Sequence, residues 1–366
     1  MDEISQTGAL LLALFALYLS IQLFITALLK RYPLPSIRQT GSAMQVLIPF
    51  RNEADVLGGL IESLKHQSMP LDLVFADDSS IDESRRVIIS ALGEQGVILA
   101  VPDSIHERYP GKHAVLAYAE KFMKTDVFFI ADADMRFPPK WAQSLYTALE
   151  GDARLGAVCA PSLPLEKDLW QAFQRIEWAS ILYLIMALQR FGEVPTAIGN
   201  SMAVRRKAWA EVGGWEALSP TLVEDYEFLR ALERAGWRLQ WVFHPNTLGA
   251  TRAEPSFYRW VQQRLRWRAA ARRLSLMPIA YWSFQSILPW TLIGLQSWTG
   301  WIGALSLWIT AEALPLWRFR HLVAANRILR YLPLLLIYRF IQGPWLLWLR
   351  FADRPIEWRN RYYPSK

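Results

Sequence analysis

Apolar and polar positions along the chain fall into three regimes. Residues Ala9 to Leu29 are continuously apolar and uncharged, long enough to cross a bilayer as one helix. From Gln45 on, short apolar runs alternate with helical stretches. They read as strand Val46-Leu47-Ile48, helix Val56 to His66, strand Leu71 to Ala76, helix Asp82 to Ala91 and strand Val97 to Val101. Helix Gly111 to Lys124 and strand Val127 to Ile130 follow. Strands apolar throughout and separated by helices predict a doubly wound parallel sheet. Pro138-Pro139 then starts a helix to about Glu150, and Gly156 to Ala160 reads as a strand. Leu169 to Phe191 reads as an interfacial or acceptor-cradling helix, and Ile198 to Val204 as a strand with a small-residue turn. Glu224 begins a helix that Gly236 terminates. In the third regime, Ser256 to Met277 interleaves Phe257, Trp260, Val261 and Leu265 with Arg259, Arg264, Arg266, Arg268, Arg272 and Arg273. That is the pattern of a basic amphipathic helix at a membrane surface. Pro278 to Trp317 is nearly chargeless, and Tyr331 to Leu349 is apolar but interrupted by Arg339 and Pro344.

Composition supports partial residence in lipid: 52% of the 366 residues are hydrophobic and 18 are Trp. The formal net charge of +7 fits nucleic acid, an anionic membrane face or an anionic substrate. Apolar segments on both sides of the arginine-rich helix favour lipid over nucleic acid. The single cysteine, Cys159, excludes an internal disulfide and reads as a small core residue. Asp2 and Glu3 precede the first apolar run, and Lys30, Arg31 and Arg38 follow it. This is the reverse of a signal peptide and puts the next domain in the cytoplasm. The expected protein is therefore a multi-pass integral membrane protein, of the inner membrane in a bacterium. Its expected parts are an anchor and linker (1–40, with Pro33, Pro35 and Gly41), a cytoplasmic α/β domain (41–252) and an interfacial helix (253–276). A transmembrane region (277–350) of one to three spans and a cationic tail (351–366) complete it. Three spans would put Arg350, Arg354, Arg359 and Arg361 outside, against the positive-inside rule.

In open α/β sheets, ligands sit beyond the carboxyl ends of the strands. Three predicted strand ends there carry polar groups, near Arg51, Asp78 and Asp132. Asp132 and Asp134, separated only by Ala133, can hold a hard divalent cation that itself holds a diphosphate. The histidines His66, His106, His113, His244 and His321 lack metal-like spacing and read as solvated or capping residues. No Gly-x-Gly-x-x-Gly, Gly-x-Ser-x-Gly or P-loop pattern occurs, so dehydrogenase, esterase and NTPase readings lack support.

Taken in order, the motifs resemble those of the membrane-bound family 2 glycosyltransferases, which include ceramide glucosyltransferase and the cellulose, chitin and hyaluronan synthases. Ile48-Pro49-Phe50-Arg51-Asn52-Glu53 looks like the opening strand-loop, and Asp77-Asp78-Ser79-Ser80-Ile81-Asp82 like the nucleotide-binding acid motif. Gly111-Lys112 matches the small-residue-plus-lysine site, Asp132-Ala133-Asp134 the metal motif and Gly199-Asn200-Ser201 the acceptor-side turn. Val223-Glu224-Asp225 matches Thr-Glu-Asp with Val for Thr, and Gln263-Arg264-Leu265-Arg266-Trp267 is Gln-x-x-Arg-Trp intact. Ser79-Ser80 stands where Gly-Ser is commoner. The match runs from about Val46 to Arg273 and implies a GT-A fold with a nucleoside-diphosphate sugar donor.

The resemblance also implies roles. Pro49, Arg51 and Glu53 wall the nucleotide pocket, and Asp78, with Asp77 as the near alternative, accepts a hydrogen bond from the base. Asp82 reads better as a helix cap. Lys112 meets the diphosphate or ribose, or is a solvated helix start. Asp132 and Asp134 bind Mg2+ or Mn2+. Asp225 is the general base of an inverting attack, kept ionised by the helix dipole, and Glu224 beside it reads as structural on the acceptor side with Gly199, Asn200 and Ser201. Arg264 and Arg266 meet the departing diphosphate, Trp267 faces the acceptor and Gln263 bonds donor or acceptor. Val223 to Tyr226 and Ala235-Gly236-Trp237-Arg238 look like the ceramide glucosyltransferase segment, which favours a lipid acceptor over a saccharide. The alternatives are a processive polysaccharide synthase, a non-catalytic membrane scaffold and nucleic-acid binding by Arg259–Arg273.

Overall fold

The computed structural model of the chain describes residues 6–34, 43–93, 96–271, 276–352, 354–358 and 361–363. Asp2, Glu3, Pro35, Arg38, Gly41, Arg272, Arg273 and Arg359, all used above, lie outside them. The chain forms two units interleaved in sequence. One gathers Tyr32–Leu165, Thr196–Ala270 and Arg354–Lys366; the other gathers Met1–Arg31, Glu166–Pro195 and Ala271–Asp353.

The first unit is built on a sheet. β1 (Met44–Phe50) pairs in parallel with β2 (Leu71–Asp77) and with β4 (Val127–Ala131), and β2 pairs in parallel with β3 (Val97–Ala100). β5 (Leu155–Cys159), β7 (Ser201–Arg205) and β8 (Arg238–Trp241) complete the order β3-β2-β1-β4-β7-β5-β8. The sheet departs from the all-parallel expectation at β7, which runs antiparallel to both β4 and β5. The apolar run that marks a buried strand is the same in either direction, so direction is not encoded in it. The consequence is functional: the start of β7 lies beside the end of β4, with Ala131 opposite Ser201.

α2 (Ala54–Lys65), α3 (Ser84–Leu92) and α5 (Trp141–Glu150) pack on this sheet. Leu57, Leu60, Ile61 and Leu64 of α2, Ile88 of α3 and Trp141 and Leu145 of α5 join Val46, Ile48, Phe75 and Phe129 in one core. Each such burial contributes about 1.5–3 kcal/mol. Cys159 lies wholly in the interior, where burial pushes its thiol up to about 12. α4 (Gly111–Ala119), α7 (Arg206–Glu211), α8 (Glu224–Arg234) and the small pair β6 (Ser162–Pro164) and β9 (Gly249–Thr251) belong to the same unit. So do α9 (Phe257–Ala271) up to Ala270 and a C-terminal hairpin of β10 (Ile356–Trp358) and β11 (Arg361–Tyr363). Part of the expected cationic tail is thus folded structure.

The second unit is helical: α1 (Gln6–Leu28), α6 (Leu169–Leu188), α10 (Leu276–Ile287), α11 (Trp298–Val323) and α12 (Leu332–Phe351). The near-chargeless Pro278–Trp317 stretch is two helices broken by a 3-10 segment, Leu288–Gly294. Among the described residues, two helical stretches, Gln6–Leu28 and Ile328–Leu349, are long and apolar enough to cross a membrane. α6 groups with these helices and not with the sheet, which differs from the continuous 41–252 domain expected from sequence; its buried residues, from Ala172 to Leu188, are mostly apolar. Arg339, which interrupts the last apolar run, turns inward, where Nε and Nη2 donate to Glu312 at 3.1 Å. The Tyr18 hydroxyl and the Gln285 amide donate to the same carboxylate at 2.6 and 3.3 Å.

Candidate active site

The antiparallel β7 brings Gly199, Asn200 and Ser201 to the end of β4. The Asp132 amide donates to the Asn200 carbonyl at 3.3 Å, and the Asn200 amide donates to the Ser162 hydroxyl at 3.1 Å. Ser201 is fully buried and accepts from the Trp141 indole at 2.8 Å, so it anchors the turn from inside. Gly199 is the hub. Its amide donates to Asp225 Oδ2 at 3.0 Å, and its carbonyl accepts from Lys112 Nζ at 3.0 Å. A Cβ here would sit 3.2 Å from Lys112 Nζ and 3.5 Å from Asp225 Cβ, so any side chain would crowd the two groups it joins.

Lys112, second residue of α4, is a largely enclosed cation, with 11% of its side chain exposed, and not a solvated helix start. Its ammonium donates to Asp132 and lies 3.8 Å from Glu224. Burial would lower its pKa, but the carboxylates around it win and hold it above its ordinary value. Four motifs far apart in sequence therefore share one ammonium or its loop: Gly111-Lys112, Asp132-x-Asp134, Gly199-Asn200 and Glu224-Asp225.

Asp225 lies in the first turn of α8 and accepts from the Tyr226 amide at 2.8 Å as well as from Gly199. The dipole argument predicts an easily ionised acid. Burial instead raises the Asp225 pKa, outweighing Lys112, both amide bonds and Arg266. Glu224 is also buried and is pushed up to about 7, by burial first and by the Asp225 charge, against the pull of Lys112 and Arg266. Arg266 of α9 thus bears on both acids. The loop before α8 is held from within. His113, fully buried, has Nε2 2.8 Å from the Trp215 carbonyl and Nδ1 3.3 Å from the Thr221 amide, and burial lowers its pKa. Thr221 in turn accepts from the amide of Val223, the residue that departs from Thr-Glu-Asp, at 3.1 Å.

At the ends of β1 and β2 the acids are buried. Asp77 accepts from the Ser80 amide at 2.9 Å and from Arg85, which makes it the turn's anchor. Asp78, 2% exposed, has Oδ1 2.6 Å from His106 Nε2, and Arg51 donates to its carbonyl at 2.6 Å. Arg361 of the C-terminal hairpin donates to both its oxygens, at 3.1 and 2.8 Å. Ser79 has φ +53°, which explains why glycine suits that position; its hydroxyl donates to Asp103 at 2.8 Å. Asp82 accepts from the Ser84 and Ala54 amides, both at 3.0 Å, and so joins the starts of α3 and α2. Pro49 sits buried within β1, opposite Ala76.

Asp134 has different partners from Asp132. Its Oδ2 accepts from the Thr251 hydroxyl at 2.8 Å and the Arg252 amide at 3.2 Å. The Arg252 side chain reaches Glu53 at 2.8 Å and Asp55 at 2.7 Å, which ties β9 to the opening strand-loop. On α9, Gln263 donates to Glu254 at 3.0 Å, and the Arg264 guanidinium lies over Trp260 and Trp267 at 4.8 and 4.5 Å.

Comparison with known proteins adds identity to this geometry. Residues 109–365 match the model of glycosyl transferase family 21. The chain belongs to that family. This agrees with the glycosyltransferase resemblance read from the motifs. A 4,4'-diaponeurosporenoate glycosyltransferase of Staphylococcus aureus is 26% identical over 135 residues, 37% of this chain and 35% of the relative. The chain thus spans about a third of the length of the curated relatives it matches. The mannosyltransferase PcManGT of Pyrobaculum calidifontis, solved in complex with GDP-Man and Mn2+, superposes with a TM-score of 0.55 at 18% identity. The match covers 93% of this chain and 99% of that one, and it establishes the GT-A fold.

A divalent metal fits the family 21 site in one way. Among the described residues no group of three or more His, Cys, Asp or Glu could hold an ion by itself. Asp132 and Asp134 are hard oxygen donors and both are only partly buried. Two carboxylates, with donor phosphates and water for the rest, is the usual arrangement for Mg2+ or Mn2+. Sequence reasoning missed His106, His113, Arg252, Arg361 and Tyr363. Both histidines read from sequence as solvated or capping, whereas His113 is fully buried and His106 meets the buried Asp78. Their only signal was position just before or after a recognised motif.

Proposed function

We propose that this chain is an inverting, metal-dependent glycosyltransferase that moves a sugar from a nucleoside-diphosphate donor to a lipid acceptor at the cytoplasmic face of a membrane. The observation that carries the proposal is the Lys112–Gly199 junction, because it joins the Asp132 carboxylate to the Asp225 carboxylate. A donor-side acid and a candidate base beside one cation suit a reaction that develops charge on a diphosphate and releases one proton.

In the step, the acceptor hydroxyl oxygen forms a bond to the anomeric carbon as the bond from that carbon to the diphosphate oxygen breaks. The leaving electron pair stays on the diphosphate, and the hydroxyl proton passes to Asp225. Direct attack from the opposite face inverts the anomeric centre. The Gly199 and Tyr226 amides aim the Asp225 carboxylate. Lys112 and Arg266 supply positive charge on the leaving-group side. Asp132 and Asp134 would hold Mg2+ or Mn2+, which when bound supplies Lewis-acid stabilisation of the diphosphate. Arg264 and Trp267 stack together and offer a flat face to the acceptor.

The lipid acceptor rests on the helical unit. Besides its two apolar helices it exposes Leu17, Leu23 and Phe24 on α1, Trp298 and Ile302 on α11 and Ile337 and Leu347 on α12. That much large apolar surface is stable against acyl chains and not against water. The PcManGT relative holds GDP-Man and Mn2+, which supports the donor class and the metal.

The test is incubation of the membrane-embedded protein with UDP- and GDP-sugars, Mn2+ and a total lipid extract, followed by mass spectrometry. One donor is expected to give a lipid heavier by one hexose, together with the free nucleoside diphosphate. A long polymer would replace the lipid acceptor with a polysaccharide synthase. No release from any donor, by a preparation that binds nucleotide, would leave a scaffold.

A further inference from the structure

The C-terminal hairpin holds a position that the proposed donor site does not explain. Its two strands have three residues each, paired Ile356 to Tyr363, Glu357 to Tyr362 and Trp358 to Arg361. A hairpin that short does not stand alone, so its anchors define it. One edge is tied to α9: the Glu357 amide donates to Gln262 at 2.9 Å, and its carboxylate accepts from Tyr258 at 2.8 Å and pairs with Arg259 at 3.1 Å. The other edge reaches the nucleotide motifs. The Tyr363 hydroxyl accepts from the amide of Gly111, first residue of the Lys112 helix, at 3.1 Å. Arg361 grips both oxygens of Asp78 and lies 3.0 Å from His106 Nε2. Residues 283 positions apart thus form one ion pair, buried at its Asp78 end.

This arrangement changes what a nucleobase would meet. A bare Asp78 carboxylate could only accept. Here both its oxygens are engaged and it is nearly inaccessible, whereas the Arg361 side chain keeps 23% of its surface exposed. The accessible end of the pair is a guanidinium, a donor matched to the carbonyl oxygens and ring nitrogens that differ between bases. The family 21 match extends to residue 365, so the hairpin belongs to the shared domain and is not an appended tail.

We propose that the hairpin is a wall of the donor pocket and that the Asp78–Arg361 pair, not Asp78 alone, selects the nucleobase. The inference rests on the proposed nucleotide-sugar reading. It assigns a specificity role to Arg361 and a positioning role to Tyr363.

Binding of UDP, GDP, ADP, CDP and inorganic pyrophosphate, each with Mn2+, to the full-length protein tests it by calorimetry. In Arg361→Ala, affinity for the preferred nucleoside diphosphate should fall about tenfold or more, the size expected for a lost charged hydrogen-bond pair. The spread among the four bases should collapse while pyrophosphate binding is unchanged, because the diphosphate end is served by Lys112. Arg361→Lys should recover part of the affinity but not the base preference, since a point charge lacks the fork. Unchanged base preference in Arg361→Ala would reduce the hairpin to a structural clasp. Tighter binding of every nucleotide would make it a cover over the site. Both results overturn the proposal. A wild-type protein that binds no nucleotide and no pyrophosphate would instead overturn the donor reading beneath it.

Discussion

At the scale of single residues, the site is governed by burial. Asp225 and Glu224 are adjacent, both desolvated, and both raised in pKa despite Lys112 and Arg266. The Asp225 charge raises Glu224 further. A raised acid pKa means that the proton stays on to higher pH, and a protonated base takes no proton from the acceptor. Turnover should therefore begin to fall at a higher pH than an ordinary carboxylate base would allow, and lose about tenfold per pH unit below that raised value. A kcat/KM profile whose acid limb lies within the ordinary carboxylate range, at about pH 4, would remove these acids from the proton-transfer step. The motifs marked acids that the structure brings around one ammonium, because Thr-Glu-Asp-like and Asp-x-Asp strings keep their spacing. It could not show their ionisation, because desolvation is set by neighbours such as Gly199 and Lys112 that are remote in sequence. Burial works against the helix-dipole expectation for Asp225 for that reason. Arg361 and His106 were illegible on the same ground: their partner Asp78 is 283 and 28 positions away.

Among elements, patterning gave the alternation of strands and helices up to β4 with ends shifted by a residue or two, except that the helix expected to reach Lys124 ends at Ala119 and goes on as a 3-10 turn to Phe122. Beyond β4 it gave existence without direction. The apolar run Met202-Ala203-Val204 of β7 reads the same either way round, and only pairing with β4 shows that it runs backwards. That reversal presents Gly199 to Asp225, so one of the most consequential features of the site was the one the pattern left open. In the helical unit the interrupting Arg339 weakened the expectation of a last span. Its pairing with Glu312 removes the objection, because a buried charge with a partner is tolerated where a lone one is not. Glu312→Leu leaves Arg339 buried without its counter-ion and should destabilise the protein by about 3–5 kcal/mol. The double change Glu312→Leu with Arg339→Leu should recover most of that loss. Thermal unfolding of the detergent-solubilised variants measures both; a double variant as unstable as the single one would mean that packing, not charge, sets the cost.

For the whole molecule, the two units cross in sequence, and that was not visible. Read along the chain, an anchor, a catalytic domain and a membrane region follow one another. In the structure α6 leaves the catalytic stretch to join the helices, and the tail returns to the sheet unit as β10 and β11. Hydropathy marks segments, not the partners they choose. The GT-A fold and the family were legible because several motifs occurred in order, each at the edge of a strand or the start of a helix. The central claim joins these scales: Asp225, brought to the Asp132 strand end through Gly199 and Lys112, takes the acceptor proton. The most direct measurement is turnover and nucleoside-diphosphate binding by Asp225→Asn, which keeps the side chain's shape but cannot accept the proton. Transfer should fall by about 10²–10⁴-fold with nucleotide affinity within about threefold of the wild type, whereas turnover close to the wild-type rate would contradict the claim.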